Sequence, residues 1–231
     1  MKTFIITIPE HEESIKASQN CMESFKKFHD DWPIKVFAAV TPRENLNVMK
    51  KYNLRWDYPW EGTVNDFKTG LLKVAYPTVN PPSRISCALS HWMLWKRCSE
   101  EEIPYIILEH DSIFIKKLEL EKINLVDYDI VGINDPRGAT RKAMDYYNKI
   151  QASIGNTIPV PVIDNWNRTQ GLAGNSAYII TKPGADKMLK LVKEHGLWPN
   201  DALMCRQLIS RLGVTTTHYT TIQKMRSTTT L

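Results

Sequence analysis

Tyr105-Ile106-Ile107-Leu108-Glu109-His110-Asp111 is the stretch on which the reading of this chain turns. Four apolar residues in an unbroken run suit a strand buried on both faces, as in parallel sheets, better than an alternating strand with one wet face. Two acids follow at once, two residues apart, so strand alternation aims Glu109 and Asp111 the same way. Neighbouring carboxylates repel each other unless a cation sits between them. A divalent ion with oxygen ligands is one such partner, of the kind that clamps a diphosphate and neutralises a departing nucleotide. A Lys or Arg at a solvated strand end is the other.

Working outward, Thr3 to Ile8 alternates and runs into Pro9, which predicts a strand, and Ile34 to Val40 predicts a second, buried one. Glu12 to His29 carries Ile15, Ala17, Cys21, Met22, Phe25 and Phe28 near helical spacing, and Arg43 to Tyr52 suits a short helix. Leu54 to Pro82, rich in Trp, Tyr, Pro and Gly, predicts mostly loop with room for one helix, packed through its aromatics. Arg84 to Cys98 is the clearest helix, with a stripe of Ile85, Ala88, Leu89, Trp92, Met93 and Trp95 that reads as core before it reads as a sugar platform. Further strands are predicted at Asp129 to Ile133, Ser176 to Thr181 and Val214 to Tyr219, and helices at Pro183 to His195 and Asn200 to Leu212, the latter stopped by Gly213. Pro136 to Arg168 reads as an irregular insertion around a helix at Arg141 to Ile154, of the sort that forms lids and binding loops. The tail from Thr220 reads as weakly ordered. Alternating strands and helices predict an α/β sandwich on a mostly parallel sheet, with chemistry beyond the carboxyl ends of its strands.

At 231 residues, with 42% hydrophobic and 24% charged residues, the chain is long enough to bury a core as one domain, and its composition excludes wholesale disorder and collagen-like repeats. No apolar run approaches the ~20 residues of a spanning helix. The apolar stretch from Phe4 to Ile8 is too short for a signal sequence, so a cytoplasmic protein is expected. Cys21, Cys87, Cys98 and Cys205 form no CxxC pair, which reads as reduced, packed thiols. Cys87 and His91, four apart on a helix, are half a metal site with nothing near them in sequence to complete it. The net charge of +5 is unevenly spread: residues 1–135 hold 17 Lys/Arg against 20 Asp/Glu, residues 136–231 hold 13 against 5, and Arg206, Arg211, Lys224 and Arg226 follow the last acid, Asp201. The basic half is therefore expected either to meet an anion or to be an ordinary soluble surface.

Arg84-Ile-Ser-Cys-Ala-Leu-Ser-His91 with Trp95, Ile107-Leu-Glu-His-Asp111, Gly174-Asn-Ser-Ala-Tyr178-Ile-Ile with Gly184-Ala185, and Pro199-Asn-Asp201 occur in that order. Together they resemble glycosyltransferase family 25 of lipopolysaccharide biosynthesis. The resemblance implies a GT-A fold, a nucleotide-sugar donor that is usually uridine-based, and a divalent metal, manganese first and magnesium second. It further implies donor contacts at Thr7, Ile8 and Pro9 and at Ala39 and Thr41, and metal ligation by Glu109 and Asp111; Glu109 and His110 are also expected at the donor. His110 stands where the family has an acid, Ser86 replaces a Gly, and Glu10-His-Glu-Glu13 stands where an Arg-containing segment usually follows the first strand.

Arg84 and His91 share a helical face, where Arg84 is expected to fork onto a donor phosphate and His91 either to bond donor or acceptor or to be a satisfied structural histidine. Asp201, near a helix start, is the first candidate for the base of an inverting transfer, and Asp164 the spare; a helix-terminal carboxylate is the plain alternative for Asp201. Asn175 and Tyr178 are expected at the sugar or acceptor. Residues 1–135 thus read as a donor and metal half, 136–219 as an acceptor half and 220–231 as a tail. In the second half Arg137, Arg141 and Lys142 beside Tyr146, Tyr147 and Trp166 read as a basic surface with interleaved aromatics. That favours duplex DNA as acceptor, with hydroxymethylated cytosine glycosylated as phages do, over lipopolysaccharide or another saccharide. A non-catalytic nucleic-acid-binding module explains the basic half but leaves the two acids unexplained. A metal-dependent phosphoesterase wants more His and Asp ligands than these.

Overall fold

The computed structural model describes residues 1–139 and 141–225. In chain order its elements are β1 (Lys2–Thr7), α1 (Glu12–Lys26), β2 (Ile34–Ala38), α2 (Asn45–Lys51), β3 (Thr63–Asp66), β4 (Leu71–Val74), α3 (Pro81–Glu101), β5 (Tyr105–Glu109), β6 (Ser112–Phe114), β7 (Ile130–Gly132), α4 (Ala143–Gln151), β8 (Thr157–Pro159), β9 (Ala177–Ile180), α5 (Lys182–His195), α6 (Asn200–Leu203), β10 (Leu212–Thr215) and β11 (Thr220–Ile222). A seven-stranded sheet runs β2-β1-β5-β9-β7-β10-β8. β1 is parallel to β2 and β5, and β10 to β7, whereas β9 is antiparallel to both neighbours and β8 antiparallel to β10. Only β9 and β8 run against the rest, so the sheet is mostly parallel, as the continuous apolar runs predicted. β9 sits between β5 and β7, which threads a strand from after residue 135 into the middle of the strands before it.

The helices start where local chemistry allows. The His11 ring accepts from the Ser14 amide at 3.2 Å, and Glu12 and Glu13 follow in the first turn of α1. Asn80 caps α3 ahead of Pro81 and Pro82, and Thr181 caps α5 ahead of Pro183. Strand alternation then sorts the core. Phe4, Ile6, Ile107, Tyr178 and Ile180 face α3 and α5, while Ile5, Ile106, Leu108, Ile179 and Val131 face α1 through Cys21 and Phe25. Trp92 and Trp95 are core residues, 7% and 1% exposed.

Five readings of the sequence are corrected. The strand at Ile34 to Val40, expected to be buried, is the half-exposed edge strand β2, with Val36 52% exposed. Between Leu54 and Pro82 lies the β3–β4 hairpin; Asp66 holds its turn by accepting from the Lys68 amide and the Thr69 hydroxyl, and Gly70 takes the left-handed φ of 71°. The aromatic packing expected there is present, with Trp56 stacked on Trp60 and Tyr58 against Tyr76 and Trp198. The helix expected over Asn200 to Leu212 ends at Leu203, because the chain leaves it to bond the Gln170 segment: the Arg206 amide donates to the Gln170 carbonyl at 3.0 Å, and the Gln170 amide to Gln207 Oε1 at 3.0 Å. Gly213 is consequently a strand residue in β10, not a helix stop. Finally, Thr220–Ile222 is not loose tail but β11, paired antiparallel with β6; Arg226 lies outside the described residues.

Candidate active site

β5 delivers its acids as the strand pattern requires. Glu109 and Asp111 both line a cleft of about 580 Å³, within the usual size of a small-molecule site, while His110 turns toward the β1 side, in electrostatic reach of His11. The turn is pinned to the start of β9: the Glu109 amide and the Ser112 hydroxyl both donate to the Ser176 carbonyl, at 2.7 and 2.6 Å. Asp111 Oδ1 is buried with no hydrogen-bond partner. Burial, then the charge of Glu109, pushes the Asp111 carboxyl up to about 7. This pair is thus held together with its repulsion unrelieved, which fits a divalent cation between the two acids.

Behind Glu109 stands a buried chain of hydrogen bonds. The Trp95 indole, which can only donate, bonds Tyr178 Oη at 2.8 Å; Tyr178 Oη lies 2.8 Å from His91 Nδ1, and His91 Nε2 lies 3.1 Å from Glu109 Oε1. All partners are satisfied when the Tyr178 hydroxyl donates to Nδ1 and His91 carries its proton on Nε2, donating to the carboxylate. His91 and Tyr178 are 0% exposed. They therefore offer no surface to a sugar: His91 takes the second of its two readings, a satisfied buried histidine, and Tyr178 reaches Glu109 only through it. Cys87 Sγ, a His91 nitrogen and a Glu109 oxygen lie within 4.8 Å of one another, so Glu109 completes in space the half-site that Cys87 and His91 form in sequence. A cation fits less well there. Both His91 nitrogens are engaged, and burial, reinforced by the charges of Glu109 and Asp201, pushes the Cys87 thiol well above its ordinary range.

Asp201 lies across the cleft, in α6. Burial pushes its carboxyl above the ordinary range, against the pull of the Arg84 charge and a hydrogen bond from Tyr76. Arg84 is anchored to Thr78 Oγ1 at 2.7 Å and to the Pro77 carbonyl at 3.2 Å, and its guanidinium lies over the Tyr76 ring. Gly171 lets the α6 segment approach: a Cβ there would stand 2.4 Å from the Asp201 carbonyl oxygen. Buried Lys73 binds Asp57 and Asp66 and lies 4.2 Å from the centre of the Trp198 ring, just before α6, so the hairpin is tied to the same wall. On that wall Asn175 Oδ1 and Ser176 Oγ are also buried without partners.

The basic residues behave otherwise. Arg137 pairs with Asp135 at 2.6 Å and stacks over Tyr147; Arg141 and Lys142 both pair with Asp164. Asp164 lines the cleft, but although burial opposes it, the Asn165 amide, Arg141 and Lys142 hold its carboxyl below the ordinary range. Of the expected aromatics, Tyr146 is buried and Trp166 is 57% exposed.

Of the residues expected at the donor, Thr7, Ile8, Pro9, Ala39 and Thr41 gather at the carboxyl ends of β1 and β2, outside the cleft lining, whereas Glu109 lines it. The Ala39 amide donates to the Thr7 carbonyl at 2.9 Å, the Ile8 amide to Ser14 Oγ at 2.8 Å, and Thr41 bonds Glu44 through its amide and hydroxyl; Pro9 is exposed. Sequence reasoning missed Tyr76, Ser176, Gly171 and Lys73. Ser176 lay within the quoted Gly174–Tyr178 segment, so its place beside Asn175 was available; Tyr76 carried no signal in a Pro-rich stretch.

Two solved structures of LgtC resemble the chain over 93% of its length at 10% identity: an active-site mutant, over 72% of its own chain with a TM-score of 0.47, and the galactosyltransferase LgtC in complex with donor and acceptor sugar analogs, over 73% with 0.45. A Haemophilus influenzae protein named "Putative glycosyltransferase" is 27% identical over 184 residues, which are 79% of this chain and 55% of that protein, so the chain spans about half the length of this curated relative. The family described as glycosyltransferase family 25 (LPS biosynthesis protein) matches residues 1–204, and with its acid turn, its buried Ser-His helix and its α6 acid around one cleft, the chain belongs to that family.

Proposed function

We propose that this chain transfers a sugar from a nucleotide-sugar donor, uridine-based, to a hydroxyl of a saccharide acceptor. The observation that carries the reading is one cleft lined by Glu109, Asp111, Asn175, Ser176 and Asp201, three of which keep a side-chain oxygen buried without a partner: Asp111 Oδ1, Asn175 Oδ1 and Ser176 Oγ. Buried polar atoms without partners are costly, so a site that keeps three of them is built to be completed by something hydroxyl-rich or cationic.

Glu109 and Asp111 would hold a divalent cation, manganese or magnesium. When bound, such an ion neutralises the diphosphate that leaves with the nucleotide. The strand ends at Thr7 to Pro9 and Ala39 to Thr41 would receive the nucleoside. His91 keeps Glu109 in one orientation. Asp201 takes the proton of the acceptor hydroxyl as oxygen bonds to the anomeric carbon, in an inverting transfer; a carboxyl raised by burial is the better base for that duty. Asp164, already neutralised by Arg141 and Lys142, is the weaker one. Asn175 and Ser176 bond acceptor hydroxyls. The domain division into a donor half, 1–135, and an acceptor half, 136–219, follows these roles. Four unpaired thiols favour a reducing compartment, the cytoplasm, and no helix among the described residues is long and apolar enough to cross a membrane.

Duplex DNA, the acceptor the sequence favours, becomes the second reading, supported by the basic charge of residues 136–231 and by exposed Trp166. Saccharide is preferred because Arg137, Arg141 and Lys142 are paired with acids of the same chain and so are not placed to neutralise phosphates. A nucleotide-release assay crossing several nucleotide sugars with short saccharides, plain duplex DNA and hydroxymethylated duplex DNA tests both. Release stimulated by a saccharide and lost in D111N is the expected result. Release stimulated only by hydroxymethylated DNA replaces the acceptor, and metal-independent release unaffected by D111N or E109Q removes the assignment of the acids.

A further inference from the structure

Gln223 follows β11, the strand that closes on β6 with Ile222 opposite Ser112. It lies beyond the residues matched by the family. Its amide donates to the Asp111 carbonyl at 2.7 Å. Its side-chain Nε2 lies 3.3 Å from the His110 carbonyl, 3.2 Å from that of Ser112 and 2.9 Å from that of Ala17 in α1, and its Oε1 accepts from Asn20 Nδ2 at 2.9 Å. One residue thus grips the carbonyls of three successive residues, 110 to 112, and ties them to α1. The Asp111 carboxylate projects from the centre of that grip, and its direction follows from the backbone torsions so held.

We infer that Gln223 is a positioning residue for the cation site, one that fixes the backbone from which Asp111 reaches into the cleft. The inference rests on the reading of Glu109 and Asp111 as cation ligands. Strand pairing anchors β6 to β11; what the Gln223 side chain adds is a tie between the turn and α1. Its amide is required as a donor. A carboxylate of the same size would set an acceptor against three carbonyl oxygens, so charge and not bulk decides the outcome.

The test is a Mn2+ titration of the full chain without donor, followed by electron paramagnetic resonance of the free ion, on wild type, D111N, Q223A and Q223E, with thermal midpoints recorded with and without Mn2+. D111N is expected to lose binding. Both Q223A and Q223E are expected to weaken it about tenfold or more, as losing a ligand's supporting partner does, and to lose most of the Mn2+-induced rise in midpoint. A role confined to holding β11 would lower the midpoint equally with and without the ion and leave affinity unchanged. If Q223A does not fold, Q223E, which keeps the side-chain length, decides alone. Lost binding in D111N with wild-type affinity in the folded Gln223 variants overturns the inference while sparing the reading beneath it; wild-type binding in D111N overturns that reading, and the inference falls with it.

Discussion

The acid turn after β5 and the basic segment from Asp135 to Asp164 hold the two densest sets of charge that the sequence singles out, and they treat their charges in opposite ways. In the basic segment every singled-out cation has an acid within the same stretch: Arg137 with Asp135, Arg141 and Lys142 with Asp164. In the acid turn Asp111 keeps an oxygen without a partner and a carboxyl pushed up to about 7 by burial and by Glu109. A count of charges gives the basic half the greater claim on a ligand; a map of partners gives it to the acids. Unrelieved charge, not abundant charge, marks where something from outside is needed.

The sharpest break in this contrast is at the acids. D111N and E109Q each remove half of the proposed cation grip, and a loss of several kcal/mol of charge stabilisation predicts about a thousandfold slower sugar transfer. D111N removes a buried charge and its repulsion, so it is also expected to hold or raise the thermal midpoint while slowing turnover to that extent. A midpoint that falls together with activity would mean that the acids serve the fold. Next in size is Asp201→Asn, predicted to slow transfer about a hundredfold, at the low end for general bases. Because burial raises the Asp201 carboxyl, wild-type activity should fall as pH drops through a limb above the ordinary carboxylate range, and that limb should vanish in the variant. A pH profile unchanged by D201N would transfer the duty to another group.

Much of this was legible in the residues. The run Tyr105 to Leu108 predicted a doubly buried strand, and the alternation beyond it predicted that Glu109 and Asp111 share a side; both follow from period-two geometry, which needs no tertiary knowledge. Arg84 to Cys98 was equally plain as a helix. The Asn200 segment was not, because its helical pattern competes with hydrogen bonds between Gln170 and Arg206 and Gln207, up to 37 positions away, that no local periodicity records. The hairpin at Thr63 to Val74 did leave a trace in Asp66 and Gly70, outweighed by the surrounding aromatics. At the site, strand alternation put the two acids on one side and the family resemblance pointed to Asp201, but pairing was out of reach of both: Arg141 and Asp164 are 23 positions apart, and Gln223 is more than 100 from the turn it grips.

Smaller effects sharpen the comparison by separating scaffold from chemistry. Gly171→Ala drives a Cβ against the Asp201 carbonyl, with Met204 O also 3.0 Å away, and should cost about 1–3 kcal/mol as overpacking does. Turnover should fall beyond what that loss of folded protein explains, since the α6 wall must shift. Tyr178→Phe strands the Trp95 indole N–H and His91 Nδ1 in the core, for a cost of about 1–3 kcal/mol. Its effect on transfer should be smaller than that of E109Q, because it acts on Glu109 only through the imidazole. Equal losses in the two variants would make the phenol itself part of the reaction.

The smallest expected effect tests the paired side. Asp164→Asn leaves Arg141 and Lys142 without their acid, and as a partly exposed ion pair this should cost about 1 kcal/mol or less. The folded-state carboxyl of Asp164 lies below the ordinary range, so its contribution to stability is present at neutral pH and disappears as pH falls through that depressed value. In D164N the acid-side decline of the thermal midpoint should therefore be shallower than in wild type, and the two curves should meet at low pH. The same variant exposes two unneutralised cations on the cleft rim. If duplex DNA is foreign to this cleft, D164N should gain salt-sensitive DNA binding that wild type lacks, with a slope of about two counterions. If wild type already binds duplex DNA with a steeper slope than that, the pairing seen here gives way to phosphate, and the basic segment, not the acid turn, has been the better guide to the acceptor.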